Sequence, residues 1–100
     1  MSDITVFKMI SGEEVMGKII EEQDGFYMLK QPASIMMTDQ GGGKVGVGIA
    51  PYMPYAKEKK IQINKLAIAA VGSAADELES EYQRIFGHGL ITPSKGIIGA

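Results

Sequence analysis

The sequence predicts a mainly β domain: a small, strongly bent five-stranded antiparallel barrel followed by a C-terminal α-helix. Three observations carry this reading. Residues 4–37 hold consecutive runs of alternating side chains separated by turn residues. Gly17 interrupts the second run, and a strand interior accepts glycine where the chain bends or another backbone comes close. A single segment of helical periodicity follows at residues 73–87.

The first strand is expected over residues 4–10, with Phe7 and Met9 on one face and Ile4, Val6 and Lys8 on the other. Gly12 supplies the turn that follows, where a positive φ suits glycine. The second strand covers residues 14–22. Val15, Gly17 and Ile19 alternate there with Met16, Lys18 and Ile20, and Gly17 is expected to bend the strand. Asp24-Gly25 marks the next turn. A third strand begins at Phe26, meets Pro32 at a bend, and continues through residues 33–38.

Residues 39–44, DQGGGK, read as a flexible loop. No Gly-Lys-Ser or Gly-Lys-Thr follows, so the glycines do not make a phosphate-cradling motif. Residues 45–50 form a strand with Val45, Val47 and Ile49 on one face and Gly46, Gly48 and Ala50 on the other. The bare face lets a helix, a neighbouring subunit or a ligand approach the backbone. Pro51 and Pro54 stiffen a segment that projects Tyr52 and Tyr55, and residues 56–60 form a solvated loop. Residues 61–63 and 66–71 complete the sheet, with Asn64-Lys65 as a turn between them and Gly72 closing it.

The expected organisation is a β-barrel over residues 1–72, a helix over 73–87 and an irregular tail over 88–100. Ser73 is positioned to cap the helix, with Asp76 and Glu77 in its first turn. Leu78, Tyr82, Ile85 and Phe86 share one face, and Gly87 stops the helix. Docking of that face on the barrel of the same chain is expected; the alternative is a helix offered to a partner.

Composition narrows the function classes. Hydrophobic residues make up 45% and charged residues 22% of 100 residues, an ordinary globular balance for one domain. The net charge of −2 argues against a surface coated for duplex nucleic acid, although a few well-placed cations can still serve a local site. No cysteine is present, so neither disulfides nor thiolate metal sites arise. The lone His88 has no partners for a catalytic triad or a zinc site. The acids Glu13, Glu14, Glu21, Glu22 and Asp24 cluster at turns rather than in a cleft that would perturb them. The reading is therefore a non-enzyme without cofactor or metal. MSDITVF lacks the basic-then-apolar pattern of a signal peptide, and no apolar run reaches the roughly 20 residues that span a bilayer. A soluble, cytoplasmic protein without membrane contact is expected.

Residues 7–19, FKMISGEEVMGKI, resemble the first motif of Sm and Sm-like proteins: Gly12, Val15, Gly17 and Ile19 match its glycines and apolar positions. Where that family has Asp and then Met-Asn-Leu, this chain has Gln23 and then Phe26-Tyr27-Met28. Residues 63–71, INKLAIAAV, resemble the second motif through Ile63, Ile68 and Val71, with Asn64-Lys65 in place of Arg-Gly. The resemblance spans about residues 4–72; the helix follows the barrel here, whereas typical Sm proteins place one before it.

The resemblance implies an SH3-like bent barrel that pairs the edges of its last strands between copies and closes into a homo-oligomeric ring. It also implies single-stranded RNA binding at pore-side loops. Carried over by position, the site residues are Tyr27, Asn64 and Lys65. Gly25 falls at the usual base-stacking position and cannot stack, so Tyr27 would stack and Lys65 would meet phosphate. The usual uridine-reading set is absent, which implies altered or weakened RNA binding. The other reading of the same fold is an oligomeric protein-interaction scaffold that binds no nucleic acid.

Overall fold

A computed structural model describes residues 4–87. The chain forms β1 (Ile4–Met9), β2 (Glu14–Glu22), β3 (Phe26–Gly41), β4 (Lys44–Pro51) and β5 (Lys60–Asn64). A single 3-10 turn (Lys65–Ala67), β6 (Ile68–Ser73) and α1 (Asp76–Phe86) follow. All described ladders are antiparallel. The long β3 lies at the centre: β2 runs along one edge, while β5 and β4 share the other. β1 pairs with β2, and β6 with β1. The fold is thus mainly β with one C-terminal helix, as the sequence predicts. The sheet has six strands rather than five, because the last stretch forms two separate strands, β5 and β6, joined by the 3-10 turn.

The connectivity forces this sheet to curl. From β5 across β3, β2 and β1 to β6 there are four strand spacings, roughly 19 Å in a flat sheet. Yet Asn64, the last residue of β5, is only four residues before Ile68, the first of β6, a reach of at most about 14 Å. The two ends must approach, and a continuous inner core results. Phe7, Met9, Val15, Leu29 and Ile63 fill it, with Ile19, Tyr27, Ile61 and Ile68 packed around them. Phe7, Val15 and Leu29 are wholly buried. No ladder joins β5 to β6 among the described residues; the 3-10 turn links them. The Ile10 N–H donates to the Ala67 carbonyl at 2.8 Å and ties this link to the end of β1.

The ladder shifts register beside Gly17. Between Met16 and Lys18 of β2 the partner residues on β3 step from Ala33 to Lys30, so β3 carries one extra residue. Gln31, inside that bulge, has φ of 53°. A Cβ on Gly17 would lie 3.3 Å from the Pro32 Cα. Glycine at 17 lets the two backbones come this close without displacing β3. Pro32, which lacks an N–H, falls where the ladder is already broken. The loop of residues 52–59 is anchored at the same place, by Gln31 N–H to Lys59 O (2.7 Å) and Tyr52 N–H to Pro32 O (2.9 Å).

The helix closes the outer face over the same bulge. Leu78, Tyr82 and Phe86 pack with Ile4, Met16, Ala33 and Ile49 on their own sheet. The Tyr82 hydroxyl donates to the Gln31 carbonyl at 2.8 Å, with the Lys30 carbonyl at 3.2 Å. Burial pushes its phenol up to about 12. Ile85, expected on the packed face, is exposed at the margin of the stripe. Ser73 is the last residue of β6 rather than the helix cap; Ala75 holds the cap position and makes no side-chain cap bond. Asp76, Glu77 and Glu79 in the first turn supply the charge complement instead.

Two further expectations change. Leu66 belongs to the 3-10 turn rather than to the last strand. Residues 39–44 are not a flexible loop: β3 extends to Gly41, and Gly42 and Gly43, both at positive φ, make a two-residue hairpin turn to Lys44. At Gly46 a Cβ would collide with the Gln40 side chain of the facing strand, so this part of the bare face of β4 is filled from within the hairpin. His88 and the tail expected at 88–100 lie outside the described residues.

Candidate functional site

Tyr27 and Lys65 meet at one end of the curled sheet; Asn64 is next in the chain, but its side chain stands on the opposite face of the ladder, beside Gln62. Tyr27 is opposite Ile63 in the β3–β5 ladder, and Asn64 is opposite Phe26. The Lys65 N–H donates to the Gly25 carbonyl at 2.9 Å, pinning the 3-10 turn against the β2–β3 turn. A residue after β5 and a residue in β3 are thereby brought together across a long sequence gap.

The side chains make a layered arrangement. The Tyr27 ring lies 5.3 Å from Phe7, centroid to centroid, tilted by 54°. On it rests the Lys65 ammonium, 4.9 Å from the ring centroid. That ammonium also donates to Glu22 Oε2 at 2.8 Å. The Glu22 hydrogen bond holds the Lys65 amine above the ordinary lysine range; partial desolvation opposes this, and the fields of Glu22, Tyr27 and Asp24 reinforce it. Lys65 is a firm cation at neutral pH. Asn64 is exposed, and its carboxamide oxygen accepts from Gln62 Nε2 at 3.4 Å.

The sequence reading missed Glu22. Nothing local ties it to Lys65, 43 residues away; only the pairings Glu22 with Tyr27 and Tyr27 with Ile63 place it there. The arrangement is a half-buried aromatic surface with a cation already on it and a carboxylate beside it. A base that stacks on Tyr27 must displace Lys65, and a phosphate that takes Lys65 must compete with Glu22.

Beside this end, Tyr27, Lys65, Ile68, Ala69, Ala70 and Val71 line a shallow groove along the outer edge of β6. Val71, opposite the buried Phe7, is half exposed. β6 has a described ladder only with β1, and β5 only with β3, so each leaves one edge open. Among the described residues, no group of three or more His, Asp or Glu side chains could hold a metal ion. No described helix is long and apolar enough to cross a membrane.

A search of curated proteins gives no match. A family model described as Sm_like domain matches residues 6–83, which takes in the sheet from β1 to β6 and most of α1. With more than three quarters of the chain matched and a curled antiparallel sheet of the expected order, the protein belongs to the Sm-like family.

Proposed function

We propose that this protein is a self-assembling Sm-like module that closes into a homo-oligomeric ring and presents Tyr27, Asn64 and Lys65 to single-stranded RNA. The observation that supports assembly is the pair of open edges. Among the described residues, β6 and β5 each have a ladder on one edge only, and a free strand edge is a template for pairing that proteins normally cover. Joining the β5 edge of one copy to the β6 edge of the next is a head-to-tail contact, which makes a ring when the rotation closes. The half-exposed Val71 and the groove beside it would be covered by that contact. Light scattering of the eluted protein is expected to give a mass of several copies. Val71→Asp is expected to shift it to the monomer mass, and an intact monomeric wild type would rule assembly out.

RNA binding is supported by an aromatic ring and a cation, Tyr27 and Lys65, held together at one end. Stacking on one aromatic is worth roughly 1–3 kcal/mol per base, and the Lys65–Glu22 pair has to open first. Glu22→Gln is therefore expected to strengthen binding of oligo-U several-fold in a fluorescence-anisotropy titration, and Tyr27→Ala with Lys65→Gln to remove the contribution of this site and weaken binding below wild type. The Lys65–Glu22 ion pair also favours a second reading, a ring that serves as a protein-interaction scaffold. Absence of RNA binding by both the wild-type oligomer and Glu22→Gln at low salt selects that reading.

A further inference from the structure

The ladders set three lysines in one row. Lys18 of β2 is directly opposite Lys30 of β3, and Lys30 is directly opposite Lys60 of β5. Side chains opposite one another point to the same face. The preceding row of the ladder, Ile19, Leu29 and Ile61, packs in the inner core, so the lysine row stands on the outer face. All three are exposed. With adjacent strands about 4.8 Å apart, the row is roughly 10 Å long. Like charges directly opposite one another destabilise a sheet. None of the three forms an ion pair among the described residues, although the chain has an excess of acids.

Local structure accounts for part of this row. Lys18 and Lys30 line a cavity of about 410 Å³ together with Ile4, Tyr82, Phe86 and Gly87, at the C-terminal end of α1. That end of a helix is favourable for cations. It does not explain Lys60, which lies on the far side of Lys30 and does not line the cavity. The backbone beneath the row is rigidly held: Gln31 N–H bonds Lys59 O, and Tyr82 bonds the Gln31 and Lys30 carbonyls.

We propose that Lys18, Lys30 and Lys60 form a binding strip for a run of phosphate groups, carried by a single-stranded nucleic acid or by free polyphosphate. Three point charges in line match a linear polyanion better than a single small anion. Lysine meets phosphate as a point charge, without a demand on the orientation of each group. It contacts backbone only and carries no base preference. The strip stands on the opposite face of β3 from Tyr27 and does not depend on the Tyr27, Asn64 and Lys65 reading.

The test is fluorescence anisotropy of the full-length protein in its native assembly, with labelled oligo-U and oligo-A and with polyphosphate and poly-glutamate as competitors. Equal affinity for the two oligonucleotides is expected. Log affinity should fall against log salt with a slope of about −2 for three phosphate contacts, roughly 15-fold between 50 and 200 mM. The combined Lys18→Gln, Lys30→Gln, Lys60→Gln variant, checked for folding by circular dichroism, should lose this binding. The corresponding triple arginine variant should retain it, and Tyr27→Ala with Lys65→Gln should keep the shared, base-independent part. Competition by polyphosphate supports the strip; polyphosphate binding without oligonucleotide binding assigns it to the free anion. Unchanged binding by the glutamine variant, no binding to either phosphate probe, or capture of poly-glutamate alone overturns the proposal.

Discussion

The inner and outer faces of the sheet solve the same problem by different means. The inner face is made dry by the curl and by Tyr52 of the 52–59 loop: Phe7, Val15 and Leu29 are completely buried among side chains of the strands, the 3-10 turn and that loop. Among the described residues, the outer face is covered where α1 lies on it, through Tyr82, Leu78 and Phe86 against Ile4, Met16 and Ala33. Beyond the helix it carries the lysine row, and the far part of the β3–β4 hairpin leaves Met37 76% exposed. The comparison teaches that curvature fixes the core, while the outer face remains open to function. It also separates two kinds of cation. Lys65, beside the inner-face Tyr27, is neutralised by Glu22; the outer-face lysines have no such partner among the described residues.

Substitutions on the two faces should differ accordingly, and the largest effect belongs inside. Phe7→Ala removes a wholly buried ring from the centre of the inner core and is expected to lower stability by about 3–5 kcal/mol. A urea melt checks this; a loss under 1 kcal/mol would mean that the curl does not depend on that core.

Next comes alkaline pH acting through the outer face. Tyr82 is buried with its phenol pushed up to about 12, so the folded state keeps its proton where the unfolded chain, near 10, has lost it. Stability from this group is fully present below pH 10 and declines as pH rises through 12. The loss is at most about 2.7 kcal/mol, two pH units at 1.36 kcal/mol each. Tyr82→Phe should flatten this part of the decline relative to wild type.

A smaller effect is expected from that same substitution at neutral pH. Tyr82→Phe leaves the Gln31 and Lys30 carbonyls without the hydroxyl donor at the bulge, a loss of about 1–2 kcal/mol. A neutral substitution would mean that water replaces the donor there, and that α1 is held by apolar contacts alone.

The smallest effect has the opposite sign. Lys30→Gln relieves like-charge opposition with Lys18 and Lys60 at once. It should raise stability by a few tenths to about 1 kcal/mol, more at low salt than at high. Destabilisation at low salt would show that the helix end outweighs the repulsion between lysines.

How much of this was legible beforehand follows from how far each feature reaches along the chain. Alternation at Ile4 to Met9 and Val15 to Ile19 assigned inner and outer faces correctly, because a strand's side-chain period is a local property. Gly12 marked a turn with φ of 95° for the same reason. The face of α1 was readable through Leu78, Tyr82 and Phe86, while its start was not. Ser73 satisfies cap chemistry, but pairing with Thr5 keeps it in β6. At the candidate site, the grouping of Tyr27, Asn64 and Lys65 came from motif resemblance, and its electrostatic character was hidden.

The sequence by itself determined strand identity, facing and the helix stripe, all of which depend on neighbours a few residues apart. Only the tertiary structure decided which residues stand opposite one another: Glu22 against Lys65, Lys18 beside Lys30 beside Lys60, and Tyr82 over the bulge at Gln31. Register across strands is set by the extra residue in β3 and by the curl that closes the core around Leu29. One residue of slip would turn every side chain of a strand to the other face. Charge partners are therefore a property of the fold, even where each charge is plain in the chain.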